Sequence, residues 1–137
     1  MDFSQKNLPV LSSIIIGTND IKRAKEFYRA VFGIVIEKDE SMYISAHGID
    51  GTHIEIETDS EYRFPNWQNH NIGTYKNSEF IVADIHEFVK TVENSGGKVI
   101  SQPKIRPWGT FAAEIADPDG NIFLIVSNSS ESKMAKL

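Results

Sequence analysis

Three side chains able to bind a cation or move a proton recur at alternate positions in His53-Ile54-Glu55-Ile56-Glu57. In an extended strand this spacing puts His53, Glu55 and Glu57 on one face and both isoleucines on the other. Such a face could hold a divalent ion or bind a basic ligand. It could also carry a proton on a carboxyl whose pKa an apolar floor raises. Glu79 and Glu114 are further carboxylates set in apolar runs, and Glu114 could stand opposite His53 and Glu55 in a rearranged metal site. The alternative for His53 or Glu57 is the wet rim of a sheet, with no ligand at all. A second distinctive stretch is Asp117-Pro118-Asp119-Gly120-Asn121, directly before the apolar run Ile122–Val126. A calcium loop of the EF-hand type wants Gly at its sixth position and Glu at its twelfth. Here Gly is fourth, so the stretch is expected to be structural: Pro118 fixes φ, Gly120 supplies freedom, and Asp117 and Asn121 bond local amides.

Composition removes several function classes. The chain has 137 residues, 40% of them hydrophobic and none of them cysteine. That length can bury one core, and without thiols there is no disulfide framework, thiolate zinc site or cysteine nucleophile. A net charge of −5, with 14 Lys and Arg against 19 Asp and Glu, leaves no basic stripe for nucleic acid. No apolar run suggests a membrane span, and Met1–Val10 does not look like a secretory signal, so a cytoplasmic protein is expected. No Ser-His-acid arrangement is legible. His47, His70 and His86 lack a partner pattern, and His86 reads as an exposed helix residue.

The elements that must position these groups come twice. Val10–Ile16 reads as a buried strand closed by Gly17. Asp20 or Asn19 then caps a helix whose apolar face is Ile21, Ala24, Phe27, Tyr28 and Val31, ended by Gly33. Three short strands follow, at Ile34–Glu37, Met42–Ala46 and Thr52–Thr58. Residues 59–77 show no clean period and read as a linker or flap carrying Tyr62, Phe64, Trp67, His70 and Tyr75. The order then restarts. Ser78–Val82 is a strand, Asp84 caps a helix faced by Ile85, Phe88, Val89 and Val92, and Gly96-Gly97 stop it. Strands at Lys98–Ser101, Phe111–Ala116 and Ile122–Val126 complete the second set, and 128–137 is a polar tail. The expected fold is α+β, one domain built of two tandem βαβββ modules, 12–58 and 78–127, that form a cupped mixed sheet. Each half must bury its sheet against the other.

Two βαβββ units, Glu26-Phe27-Tyr28-Arg29-Ala30-Val31-Phe32-Gly33 on the first helix and the Asp-Pro-Asp-Gly-Asn turn before the last strand resemble the vicinal oxygen chelate superfamily. That group includes glyoxalases, extradiol dioxygenases and bleomycin-resistance-type binding proteins. In its metal-dependent members the resemblance implies a His or Gln on the first strand and a Glu on the last strand of each half. Those positions fall here on Ser13, Asn77, Glu55 and Leu124, one strong ligand in four. No cofactor is therefore expected, with a divalent ion at His53 and Glu55 as the alternative. Strand alternation places Ser13, Ile15, Glu55, Asn77, Glu79, Ile81, Ile122 and Leu124 on the concave face. An apolar floor with carboxylates and no cation suits a small basic or aromatic ligand, and Trp108 could stack on it.

Three functions stay open. The first is metal-independent binding of a small molecule at Ser13, Ile15, His53, Glu55, Asn77, Glu79, Trp108, Glu114 and Leu124. The second is a lyase, isomerase or dioxygenase with an atypical metal site, and the third is metal-free acid–base catalysis by Glu55 or Glu79. The resemblance also implies a homodimer.

Overall fold

A computed structural model describes residues 11–58, 78–107 and 109–127. The 59–77 linker, Asn77, Trp108 and the 128–137 tail lie outside the described residues. In chain order the first half is β1 (Ile14–Gly17), α1 (Ile21–Phe32), β2 (Val35–Glu40), β3 (Tyr43–His47) and β4 (His53–Glu57). The second is β5 (Glu79–Val82), α2 (Ile85–Asn94), β6 (Lys98–Ile105), β7 (Phe111–Ala116) and β8 (Ile122–Ser127). The strands make two four-stranded mixed sheets of the same order, β1-β4-β3-β2 and β5-β8-β7-β6. In each, the first strand pairs parallel with the last and the remaining pairs are antiparallel.

Both helices begin where a carboxylate meets an open backbone amide. Asp20 Oδ1 accepts from Arg23 N and Asp84 Oδ1 from Glu87 N, each at 3.1 Å, satisfying one orphan donor of the first turn. On α1 the buried residues are Ala24, Phe27, Tyr28 and Val31, and on α2 Ile85, Val89 and Val92. These recur every three or four residues, so each helix lays one stripe on the sheets. Ile16, Ile44, Ile54, Ile56, Ile115, Phe123 and Ile125 meet them from the strands in a single core. The halves share that core through α1. The ring of Phe32 lies 5.0 Å from Phe80 and 5.5 Å from Phe123, both in the second half. α2 comes so close that a Cβ on Gly97 would stand 2.6 Å from the Ala116 carbonyl oxygen and 2.8 Å from Phe27 Cε1.

β6 and β2 run furthest past their expected ends. β6 continues to Ile105 through Pro103. It is an edge strand, and its register with β7 shifts between Ser101 and Lys104, so the missing proline amide falls where the ladder is already irregular. β2 runs to Glu40 past a shift between Ile36 and Lys38.

The acidic turn is a latch between the halves. Asp117 is 3% exposed, and its carboxylate accepts from the amides of Asp119 (2.9 Å) and Asn121 (2.8 Å) and from Asn121 Nδ2 (2.9 Å). It also takes the hydroxyl of Tyr28, on α1, at 2.6 Å. Asn121 Nδ2 in turn donates to the Gly17 carbonyl at 3.0 Å. Asp119 accepts from the Thr18 hydroxyl (2.5 Å), the Asn19 amide (3.0 Å) and the Arg23 guanidinium (2.6 Å). Each of these partners outside the turn belongs to β1, to α1 or to the residues that join them. Its acidity therefore serves folding, as the residue types implied, although the across-module reach was not readable from sequence.

Candidate functional site

The face of the first sheet turned away from the helices is built by register. Across β1, β4 and β3, Ile15 pairs with Glu55 and Glu55 with Ser45, while His47 faces His53 and Tyr43 faces Glu57. Directly opposed residues share a face, and their neighbours Ile44, Ala46, Ile54 and Ile56 are buried in the core. This leaves a polar row with Glu55 at its centre. Tyr43 donates its hydroxyl to Glu55 Oε1 at 2.6 Å, and Ser13 donates to Oε2 at 3.3 Å. His53 Nε2 lies 3.8 Å from Glu55 Oε1 and 3.4 Å from Ser45 Oγ. The Glu55 carboxylate is half-buried and has a donor on each oxygen, so its direction is set by its neighbours.

Ser13, Ile15, His53 and Glu55 thus gather as the alternation predicted. His53 is at the rim, but Glu57, one of the two residues offered for the wet rim, is 2% exposed. Tyr43 and Ser45 were missed. Their signal was present, since Tyr43-Ile44-Ser45-Ala46-His47 alternates as His53–Glu57 does. What the sequence lacked was the register that sets Ser45 against Glu55.

The remaining predicted residues form a second row. On the second sheet Glu79 pairs with Leu124 and Leu124 with Glu114, which in turn faces Ser101. Ser101 Oγ donates to Glu114 Oε1 at 2.7 Å. Glu55 of the first sheet and Leu124 of the second hold equivalent places in the two ladders, so the carboxylate of one half is a hydrocarbon in the other. Glu114, offered as a partner of His53 and Glu55, lies with Ser101 on the second sheet. Asn77 and Trp108 lie outside the described residues.

The donor set decides how well a divalent ion fits. Of the positions where the superfamily's metal-dependent members carry ligands, Leu124 offers no lone pair and Ser13 offers a hydroxyl that already points at Glu55. Among the described residues no group of three or more His, Cys, Asp or Glu is arranged to hold a metal. A zinc site wants about three protein ligands and an open place, and these residues do not fit that pattern. What the row can do is accept hydrogen bonds: Glu55 presents an oriented carboxyl group beside the apolar Ile15. Elsewhere on this sheet His47 Nδ1 lies 2.8 Å from Glu37 Oε1, an exposed pair. Among the described residues no helix is long and apolar enough to cross a membrane.

A family model of the glyoxalase-like domain matches residues 11–131. Among solved structures, the chain resembles a glyoxalase/bleomycin resistance protein/dioxygenase family enzyme from Burkholderia phytofirmans PsJN, at 20% identity and a TM-score of 0.74, over 87% of this chain and 98% of that one. It also resembles a member of the glyoxalase/bleomycin resistance protein/dioxygenase superfamily from Sphaerobacter thermophilus DSM 20745. There the identity is 25% and the TM-score 0.72, over 89% of this chain and 99% of the other. No curated protein matches the sequence. The chain belongs to the glyoxalase-like domain family, within the vicinal oxygen chelate superfamily.

Proposed function

We propose that the protein binds a small molecule on the concave face of its sheets without a metal ion, in the manner of bleomycin-resistance-type members of the superfamily. The observation that carries this reading is Glu55, held by Tyr43 at 2.6 Å and Ser13 at 3.3 Å beside the apolar Ile15. A fixed, half-buried carboxylate on an apolar floor favours a ligand that brings a positive charge or hydrogen-bond donors. Glu79, Glu114 and Leu124 extend the same chemistry across the second sheet, and Asn77 and Trp108 belong to the same proposed site. The 59–77 segment, with its aromatic residues, is proposed as the cover of the site or a dimer contact. Dimerisation is part of the proposal. The large apolar side chains Val35 on β2 and Ile100 and Ile105 on β6 are exposed on edge strands, where a second copy could cover them.

A second reading, a lyase, isomerase or dioxygenase with an atypical divalent-metal site, draws on the 3.8 Å separation of His53 Nε2 and Glu55 Oε1. Elemental analysis separates the two. Protein purified without a chelating tag is expected to be folded, free of metal and unable to take up added zinc, nickel, manganese or iron. Near-stoichiometric metal that Glu55→Ala removes would overturn the binding reading and put the enzyme first.

A further inference from the structure

The acidic turn of the second half has a counterpart in the first. Gly48-Ile49-Asp50-Gly51-Thr52 leads into β4 as Asp117–Asn121 leads into β8. Gly48 N donates to Thr52 O at 2.9 Å and Gly51 N to Gly48 O at 3.0 Å, and Asp117, Asn121 and Gly120 repeat both bonds at the same lengths. Gly51 and Gly120 share a positive φ, 88° and 95°, which fixes glycine at that place in both turns. The turns differ in what they grip. Asp119 reaches across to Thr18, Asn19 and Arg23. Counted from the helix-capping aspartates, the equivalent residues of the second half are Val82, Ala83 and Glu87, so a hydroxyl becomes a methyl and a cation becomes an anion. Asp50 turns back instead and accepts from the Thr52 amide (3.0 Å) and hydroxyl (2.9 Å).

The corner left unlatched is a cleft of about 360 Å³ between this turn, the end of α1, β5 and α2. Phe32, Ile49, Phe80, Ile81 and Phe88 supply apolar walls. Its charged lining residues, Asp50 and Glu79, are both acidic. The Thr52 amide and, secondarily, its hydroxyl hold the Asp50 carboxyl below the usual aspartate range, so the charge persists at neutral pH. Ile49 is 91% and Ile81 70% exposed at the edges, more apolar surface than an isolated turn explains.

We propose that this cleft is a binding site for a small amphiphilic amine, its hydrocarbon or aromatic body between the phenylalanines and its ammonium at Asp50 and Glu79. The volume matches the smaller end of small-molecule pockets, and a lining whose charged residues are both acidic selects the cation over an anion of the same shape. The cleft is separate from the Glu55 row, and Glu79 and Ile81 on β5 are the residues it shares with the concave face expected for the second sheet.

The test titrates the protein with 1-naphthylmethylammonium and with 1-naphthoate, followed by amide chemical shifts. The amine should bind saturably, at least tenfold more tightly than the acid, with shifts centred on Ile49–Thr52 and Phe80–Val82. Ile81→Trp fills the cleft from an exposed position and should abolish the shifts at Ile49–Thr52. Asp50→Asn should weaken it about five- to tenfold, and Glu55→Gln should leave it unchanged. Equal affinity for amine and acid, no saturable binding, or a response to Glu55→Gln with none to Ile81→Trp would overturn the proposal. The last result would seat the amine on the concave face and support the reading given for Glu55.

Discussion

Removing the Asp117 carboxylate tests whether the acidic turn joins the two halves. Four donors converge on it, the amides of Asp119 and Asn121, Asn121 Nδ2 and the Tyr28 hydroxyl. Tyr28 is 1% and Asp117 3% exposed, so water cannot replace the lost partner without the halves separating. A hydrogen bond to a charged group contributes about 1.5–3 kcal/mol, and a stranded buried donor costs about 1–3 kcal/mol. Asp117→Ala should therefore cost about 3–5 kcal/mol, a large share of the roughly 5–15 kcal/mol that holds a domain together. With a urea slope of about 2 kcal/mol per molar, the unfolding midpoint falls by about 2 M. Tyr28→Phe removes one of the four bonds and should cost about 2 kcal/mol. In a double-mutant cycle with Asp117→Asn the pair should couple by about 1 kcal/mol or more. A loss below about 1 kcal/mol for Asp117→Ala, or additive effects in the cycle, would refute the latch. So would intact stability accompanied by lost ligand binding.

Within the same latch, Thr18→Val should cost more than Arg23→Ala. Thr18 is fully buried, whereas the Arg23 side chain is 46% exposed. About 1.5–3 kcal/mol is expected for the first, and about 1 kcal/mol or less, shrinking with added salt, for the second; urea titration at two salt concentrations reads both. Gly97→Ala should cost about 2–3 kcal/mol in the same assay, since the new methyl would press on the Ala116 carbonyl, Val92 and Phe27. The Asp50 carboxyl carbon, followed by NMR, should titrate below the ordinary aspartate value of 3.8. Thr52→Val should move it only partway back, because the amide bond is the larger cause. The stability that this lowered pKa contributes is present above the ordinary value and fades as pH falls through the lowered one.

How much of this was legible follows from what each feature depends on. Helix faces and caps are local: Ala24, Phe27, Tyr28 and Val31 announce their stripe by spacing, and Asp20 and Asp84 cap as aspartates before apolar periodic runs do. Strand alternation is also local, so His53 and Glu55 were assigned to the right face without coordinates. The irregular pairing of β6 and β2 depends on the partner strand, and it carried both strands past their expected ends. Tyr43 was missed as a partner of Glu55 for the same reason, because a register is a relation between two strands. The reach of Asp119 to Thr18 and Arg23, about a hundred residues away in the chain, has no local signature at all.

The two turns allow that non-local relation to be built where it is missing. Gly48 has no positive φ, and the nearest atom a Cβ there would meet is the end of the Asp50 side chain at 3.3 Å, with Ile54 Cδ1 at 3.7 Å and the Thr52 carbonyl at 4.0 Å in ordinary contact, so aspartate fits the backbone. Gly48→Asp alone should nevertheless destabilise the protein by about 0.5–1 kcal/mol, because it sets a second carboxylate beside Asp50. In the other turn Asp117 and Asp119 coexist because Tyr28, Thr18 and Arg23 divide their charge between them. Adding Val82→Thr and Glu87→Arg supplies the missing hydroxyl and cation, so the triple variant should be more stable than the sum of its single changes by about 1 kcal/mol or more. It should also draw the turn onto α2 and close the cleft to 1-naphthylmethylammonium. If Gly48→Asp already stabilises, or the three changes merely add, the two corners are not equivalent. The unlatched turn would then be an ordinary loop end, and the cleft beside it would need another origin.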